Sequence, residues 1–374
     1  MKFLVSGDLQ LLCDDPGSPR SEQTRNTLSW IIREIDQHHP EVFVHLGDFG
    51  ESNEGVDHYS LSLMTWFMRG VFDRTPKSYW LTGNHDFFTE DGSINLMSAL
   101  GSLMPPNHKA VWPWDGHGPE GTMFVSYLSP GSRERWRADA GLVFAEREHT
   151  VLFSHLPVNG AMYSPGILES KGLDADWFPK QTIVGHYHRP NPPSQVQQTF
   201  GNFIWYAGSP MSHDFRDNCY GLTREQQLRG IWLFDISEGR ITTFPTFLPN
   251  PHATYYLSFS SGLNNGAILD PWFNQQCVLP PERTVLRLTV PAGQESSTIP
   301  ALSGMASHAV LREDSRPTLG PVGQAIDPDT APSNAVQQYV QSLPEDRLKG
   351  LDPARLAEFG VSLVQQQYQS PVPQ

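Results

Sequence analysis

The segment EVFVHLGD, residues 41–48, indicates how the chain folds, because a short apolar run ends in a glycine and a carboxylate. Residues 1–8, MKFLVSGD, repeat this arrangement, and a third apolar run leads into GNHD at residues 83–86. A short apolar run bounded by polar residues is typical of a strand buried on both faces. The pattern therefore predicts buried strands that each carry polar side chains at their carboxyl ends.

Further apolar runs of this kind predict additional strands. Together the predicted strands are residues 2–6, 41–46, 78–82, 150–154, 182–184, 203–206 and 230–236. Residues 21–35 carry apolar side chains at helical spacing, with Ser21 as the expected N-cap, and residues 61–72 predict a second helix. Strands that alternate with helices indicate an α/β layered domain, which we expect over residues 1–245.

After residue 245 the pattern changes to that of a small α+β domain, predicted over residues 246–313. Its predicted elements are strands at residues 254–259, 284–290 and 309–312 and a weak helix at residues 297–306. Residues 314–333 are rich in proline, glycine and aspartate, which is typical of a linker. Residues 334–366 predict two short helices, which either pack on their own domain or dock on a partner.

Composition limits the classes of protein that need to be considered. The 26 basic and 40 acidic residues give a net charge of −14, which disfavours binding to nucleic acid through bulk positive charge. No apolar run of about eighteen residues predicts a membrane span, and the first residues lack a secretion signal. The 3 cysteines are far apart, as expected for reduced thiols. We therefore expect a cytoplasmic protein.

Five polar clusters stand at predicted strand ends. They are residues 7–10, 47–48, 83–86, 154–155 and 185–188. Each cluster alone is more often a turn or an ordinary core histidine, but five in this order indicate a shared site. Carboxylate, amide and imidazole donors without thiolates suit manganese, iron or zinc. The clusters therefore predict a metal centre built from strand ends.

Two metal ions about 3.5–4 Å apart can neutralise a phosphodiester and make a water nucleophilic near neutral pH. We expect Asp48 to bridge them, because a carboxylate has two oxygens. The other expected ligands are Asp8 and His188 for one ion, and Asn84, His155 and His186 for the other. His85 follows Asn84 in a tight turn, so we expect it to face the substrate and either protonate the leaving oxygen or stabilise the transition state, with Asp86 orienting it.

These clusters resemble the motifs of the calcineurin-like metallophosphoesterase superfamily, which run Asp-x-His, Gly-Asp, Gly-Asn-His-Asp or Glu, His, and Gly-His-x-His. Within that superfamily the chain is most similar to the SbcD nuclease subunits. The similarity lies in GHYHRP at residues 185–190, followed by YAGSP at residues 206–210. Phe215 and residues 229–230 also fit the later pattern. The resemblance in motifs covers roughly residues 1–235.

The resemblance implies a layered sandwich of two sheets flanked by helices. It further implies two divalent ions, with Mn²⁺ expected and Mg²⁺, Fe²⁺ or Zn²⁺ also suitable, and exonuclease or endonuclease activity at DNA ends in repair, recombination or replication. Residues 254–312 would form a cap that contacts DNA. Residues 334–366 would hold the coiled-coil base of an SbcC-like ATPase, and the nuclease domain would form a homodimer.

Two residues depart from this resemblance. Gln10 stands where the family pattern has a metal-binding histidine, and because an amide oxygen is a poorer ligand than imidazole, Gln10 is only a possible ligand. Glu51 stands where SbcD proteins commonly carry another active-site histidine. Two alternatives therefore stay open: a small-molecule phosphodiesterase or phosphatase on the same metal core, and a scaffold in which the change to Gln10 has abolished catalysis.

Overall fold

The structure is a computed structural model. It describes residues 1–12, 16–51, 55–115, 118–133, 150–164, 167–190, 203–213, 217, 219, 221–222, 224–260, 263–264, 267–268, 279–290 and 308–313. The chain divides into two compact units, Met1–Glu313 and Asp314–Gln374. The predictions for Phe215, the helix at 297–306, the linker at 314–333 and the helices at 334–366 lie outside the described residues.

The secondary structure alternates between strands and helices in the first half of the chain. The strands are β1 (Lys2–Ser6), β2 (Val42–His45), β3 (Lys77–Leu81), β4 (His108–Val111), β5 (Trp114–Asp115), β6 (Thr122–Val125), β7 (Val151–Ser154), β8 (Met162–Ser164), β9 (Ile167–Leu168), β10 (Gln181–Val184), β11 (Phe203–Tyr206), β12 (Gly230–Ser237), β13 (Arg240–Ile241), β14 (Thr246–Pro249), β15 (Tyr255–Ser260), β16 (Leu263–Asn264), β17 (Ala267–Ile268), β18 (Thr284–Val290) and β19 (His308–Glu313). The α-helices are α1 (Pro19–His38), α2 (His58–Phe72), α3 (Leu96–Gly101) and α4 (Arg224–Gln227).

Two large sheets pack face to face. The first has the order β13-β12-β1-β2-β3-β4, with β14 paired to β12, and the second has the order β11-β10-β7-β6-β5. Their facing side chains form one buried cluster, in which Phe3 stacks on Phe153 at 5.7 Å and Tyr79 stacks on Phe124 at 3.9 Å. Interdigitated apolar side chains of this kind hold two sheets together by removing apolar surface from water.

Helices α1, α2 and α3 cover the outer face of the first sheet, where Trp80 and Phe43 lie in the same cluster as Phe67 of α2. The outer face of the second sheet is covered differently, by chain segments around Leu156 and Phe178. The predicted α/β sandwich of two sheets flanked by helices is thus confirmed, with α1, α2 and α3 on the side of the first sheet.

The two long helices begin at side-chain caps. Ser18 caps α1, because its hydroxyl accepts a hydrogen bond from the Ser21 amide at 3.2 Å. The prediction of Ser21 as N-cap was wrong, because Pro19 occupies the first helical position, where its fixed φ favours the helix and its missing N–H costs nothing. Asp57 caps α2 in the same way, accepting from the amides of Tyr59 and Ser60.

Strands β15, β18 and β19 form a separate three-stranded parallel sheet, in agreement with the strands predicted after residue 245. The first large sheet continues to Pro249, because β14 pairs antiparallel with β12. It therefore extends past the predicted end near residue 245. Among the residues that the structure describes, no helix is both long enough and apolar enough to cross a membrane.

The carboxyl ends of the parallel strands meet at one edge of the sandwich. Strands β1, β2 and β3 run parallel in the first sheet, as do β7, β10 and β11 in the second. The loops that leave them are joined by backbone hydrogen bonds, such as Asp8 N to Gly47 O and Gly185 N to Ser154 O, both 2.9 Å. Polar side chains from both sheets are thereby held at one place.

Candidate metal centre

Sharp turns after the strands bring the predicted ligands together. Asp8, Gln10, Asp48 and His186 all adopt positive φ angles, at 51°, 40°, 53° and 81°. Residues other than glycine rarely adopt this left-handed region, and each such residue costs about 1–3 kcal/mol that the surrounding structure must offset. The strain is concentrated at the residues for which we predicted metal binding.

Asp48 lies at the middle of the site and is almost completely buried. Its Oδ1 accepts a hydrogen bond from the His85 amide at 2.8 Å, and its Oδ2 lies 3.3 Å from His155 Nε2. Burial alone would raise the pKa of Asp48, but His155 and the other nearby histidines outweigh it and hold that pKa well below its usual range. Asp48 is therefore a carboxylate in contact with groups on two other loops, as a bridging ligand requires.

Asn84, His155 and His186 gather on one side of Asp48. Asn84 Oδ1 lies 2.8 Å from His186 Nδ1 and 3.3 Å from His155 Nε2. His155 Nδ1 lies 2.7 Å from the Leu46 carbonyl oxygen and donates to it, so Nε2 is the ring nitrogen that faces Asp48 and Asn84. One ligand atom from each of Asp48, His155 and His186 lies within 4.8 Å of the others.

Asp8 and His188 lie in the second group of predicted ligands. Asp8 Oδ1 accepts from the His186 amide at 2.8 Å, whereas Oδ2 is buried and has no hydrogen-bond partner among the described residues. Burial is the main reason why the pKa of Asp8 is raised to about 6. His188 Nδ1 lies 2.7 Å from Asp217 Oδ1, which orients its ring. Gln10 is also buried, and its backbone N–H donates to the Asp48 carbonyl oxygen.

These residues fit divalent cations. A buried carboxylate oxygen without a partner is costly, and a cation is the group that would satisfy it. The donors are carboxylates, an amide oxygen and imidazoles, a set suited to transition metals such as manganese, iron or zinc. Asp48, Asn84, His155 and His186 would hold one ion, and Asp8 and His188, with Asp48, the other.

His85 is oriented by a different residue from the one predicted. Its Nδ1 lies 2.5 Å from Glu51 Oε1. The Asp86 carboxylate instead accepts the amides of Gly50 and Gly83, at 2.9 and 2.8 Å, and is fully buried. The prediction that Asp86 orients His85 is therefore corrected, because Asp86 ties two loops together while Glu51 contacts the imidazole.

Asp217 and His213 also belong to this site, although motif spacing did not reveal them. His188, His213 and Asp217 form a second cluster whose ligand atoms lie within 4.8 Å of one another. Asp217 is 29 residues from His188 in sequence, and both new residues follow the YAGSP segment. The YAGSP segment was the one feature of the sequence that pointed to this region. It carried the resemblance to SbcD subunits but did not identify His213 or Asp217.

A cavity of about 330 Å³ opens beside these residues. Its lining residues are Gln10, His85, Glu169, His186, Tyr187, His188, Arg189 and Asp217. Tyr187 donates its hydroxyl to Glu169 Oε2 at 2.9 Å, which fixes one wall. The cavity therefore leaves space for a bound molecule beside His85 and His188.

Comparison with known proteins identifies the class. The profile of the calcineurin-like phosphoesterase family matches residues 1–190, which is more than half of the chain and includes every predicted ligand. The chain belongs to this family of metallophosphoesterases. Comparison with curated proteins gave no match.

Several solved structures are similar to this chain. A dimetal phosphatase from Danio rerio is 13% identical with a TM-score of 0.39, covering 67% of this chain and 99% of that one. The protein TT1561 of Thermus thermophilus is 9% identical with a TM-score of 0.36, covering 56% and 89%. Yfce, a phosphoesterase from E. coli, is 13% identical with a TM-score of 0.30, covering 66% and 98%.

Proposed function

We propose that the chain is a metal-dependent DNA nuclease subunit that hydrolyses phosphodiester bonds at DNA ends together with an SbcC-like ATPase. The observation that carries the proposal is the position of the SbcD-like residues. Ser209, from the YAGSP segment, has its hydroxyl oxygen 2.8 Å from the Asp8 carbonyl oxygen. The segment that distinguishes SbcD-like chains therefore contacts the backbone of a predicted metal ligand.

Arg229 supports the same proposal, since it belongs to the later SbcD-like pattern at residues 229–230. Its side chain is completely buried, its Nη1 donates to the His188 carbonyl at 2.6 Å, and its Nε donates to Ser212 Oγ at 2.8 Å. A buried guanidinium needs such partners because an unpaired charge is costly. Arg229 thus holds the backbone of His188 and fixes the position of that ligand.

The chemistry follows from the roles of the surrounding side chains. Bound divalent ions would supply positive charge for the phosphoryl oxygens and a nucleophilic water near neutral pH, and we propose Mn²⁺ as the native metal. His85 donates a proton to the leaving oxygen, and Glu51 holds the imidazole in position for this. The Asp48 carboxylate accepts a hydrogen bond from the His85 amide, which holds it between the two groups of proposed metal ligands.

The net charge of −14 opposes DNA binding by this chain alone. We propose that the ATPase supplies much of the surface that contacts phosphates, and that it docks on residues 334–366. We also propose a homodimer, and a cap role for the sheet of β15, β18 and β19. These proposals are supported by the resemblance to SbcD subunits.

A small-molecule phosphodiesterase or phosphatase is the second candidate, and the cavity of about 330 Å³ beside His85 favours it. A cavity of this size matches the lower end of small-ligand sites, which span about 300–1,000 Å³. A scaffold without catalysis is the third candidate. The assembled groups of Asp48, His155 and His186 argue against it, since a scaffold has no need of them.

The experiment that separates these candidates measures Mn²⁺-dependent cleavage of end-labelled linear DNA beside bis(p-nitrophenyl) phosphate. Wild type is compared with His85→Ala and with the exposed control His58→Ala. We expect DNA cleavage that falls about 10²–10⁴-fold in His85→Ala alone. Cleavage of only the generic ester would support the small-molecule enzyme, and no turnover of either substrate would leave the scaffold or a nuclease that requires its ATPase partner.

A further inference from the structure

His213 is a buried imidazole whose two nitrogens have very different surroundings. Only 4% of the residue is exposed. Its Nε2 lies 3.0 Å from the Asp8 carbonyl oxygen and 3.3 Å from Ser209 Oγ. A carbonyl oxygen only accepts, so Nε2 carries the proton and Nδ1 presents a lone pair. That Nδ1 is buried and has no hydrogen-bond partner among the described residues.

The position of His213 suggests what satisfies this lone pair. Its ring lies 4.9 Å from the ring of His188, at an angle of 73°. Ligand atoms of His213, His188 and Asp217 lie within 4.8 Å of one another, a spacing that one cation can span. Asp8, whose backbone His213 contacts, has a second buried atom without a partner, Oδ2. His213 Nδ1 and Asp8 Oδ2 are thus two buried atoms of the kind that bind metals, each without a hydrogen-bond partner among the described residues. They belong to two residues that are in contact.

The two metal positions would otherwise be unequal. Asn84, His155 and His186 give one position two imidazoles, whereas Gln10 offers the other only a neutral amide oxygen beside His188. We propose that His213 is a ligand of the ion held by Asp8 and His188, binding through Nδ1 and supplying the imidazole that Gln10 lacks. The inference rests on the metal chemistry of the proposed function but not on DNA as the substrate.

The test measures Mn²⁺ binding to the full chain by isothermal titration and bound metal by mass spectrometry. His213→Gln is the informative variant, because glutamine keeps an N–H donor in place of Nε2 but replaces the imidazole nitrogen Nδ1 with an amide oxygen, which is a poorer metal ligand. We expect one of two Mn²⁺ affinities to fall at least about tenfold. The exposed control His58→Gln keeps both. Two unchanged affinities in His213→Gln would overturn the inference.

A compensating substitution extends the test. Gln10→His restores an imidazole at the same ion, so Gln10→His with His213→Gln recovers the affinity that His213→Gln loses, and Gln10→His alone binds more tightly than wild type. No recovery in the double variant would contradict the inference.

Wild-type protein provides a measurement that needs no variant to fold. Anomalous diffraction from Zn²⁺-loaded crystals locates the ions, and we expect His213 Nδ1 at the Zn–N bonding distance of about 2.0–2.1 Å from one of them. Water bound at Nδ1, with no ion at that distance, would overturn the inference. Absence of DNA cleavage, with or without the ATPase partner, would refute the proposed nuclease and leave these binding results unaffected.

Discussion

His85 Nδ1 lies 2.5 Å from Glu51 Oε1, so a carboxylate on the loop after β2 fixes an imidazole on the loop after β3. Glu51 is buried, whereas the His85 side chain keeps 28% of its surface exposed beside the cavity. This pair shows how the His85 imidazole is held in position while remaining accessible from the cavity.

Glu51→Ala is expected to lower kcat about 10- to 100-fold, which is less than the full contribution of about 10²–10⁴ from a proton donor. The imidazole remains but loses the carboxylate that orients it. Phosphodiester turnover gives kcat, and metal analysis checks that both ions are retained. Glu51→Gln keeps an oxygen acceptor and should lie between Ala and wild type. An unchanged kcat in Glu51→Ala would exclude this positioning role.

Asp86→Ala is expected to reduce stability, because Asp86 accepts two backbone amides, of Gly50 and Gly83. Each buried donor left without a partner costs about 1–3 kcal/mol, so the loss of both should lower the free energy of unfolding by about 2–6 kcal/mol. Urea denaturation measures the change. Unaltered stability with a selective loss of kcat would instead support the role in orienting His85 that the sequence suggested.

Gly83→Ala is expected to disrupt the metal centre, since a Cβ at Gly83 would lie 2.0 Å from Asp48 Oδ1 and 2.3 Å from Asp48 N. Asp48 must move, so Mn²⁺ affinity should fall at least about tenfold. Gly131→Ala is the matched control, because open space surrounds that position. Isothermal titration compares the two, and equal affinities would contradict the crowding around Asp48.

Asp57→Ala is expected to cost about 1 kcal/mol of stability at pH 7, because α2 loses its N-cap. Burial raises the pKa of Asp57, but the hydroxyl and amide of Ser60 together outweigh it and lower that pKa below its ordinary value near 3.8. The charged cap therefore contributes fully above about pH 4 and is lost as pH falls through the lower folded-state pKa. Urea denaturation of Asp57→Ala and wild type should converge in acid. A constant difference down to acid pH would contradict a charged cap.

Local pattern was sufficient for the strands and for the residues directly after them. An apolar run of four or five residues predicts a buried strand, and the residues just beyond its carboxyl end lie at the sheet edge, so the position of Asp8, Asp48 and Asn84 at that edge could be predicted from sequence. The first residue of a helix was harder to predict. Both Ser18 and Ser21 are suitable N-cap residues for α1, and only the position of Pro19 distinguishes between them.

Contacts between distant loops were beyond the sequence pattern. Adjacency suggested that Asp86 supports His85, but the short 3-10 turn of Asn84–Asp86 directs Asp86 toward the amides of Gly50 and Gly83. Glu51 reaches His85 across 34 residues, and neither periodicity nor spacing reports a pairing of that length. The sequence did not indicate His213 as a metal ligand. Its buried Nδ1, which has no hydrogen-bond partner among the described residues, is what suggests that role.

The most direct test of the account is the dependence of phosphodiester hydrolysis on the number of bound Mn²⁺ ions. Metal-free protein is titrated with Mn²⁺ while bis(p-nitrophenyl) phosphate turnover and bound metal are recorded together. The account predicts that turnover appears as the second ion binds and that Asp48→Ala, which removes the bridging carboxylate, abolishes it. Full turnover with one ion, or turnover that persists after chelation, would contradict a dinuclear centre.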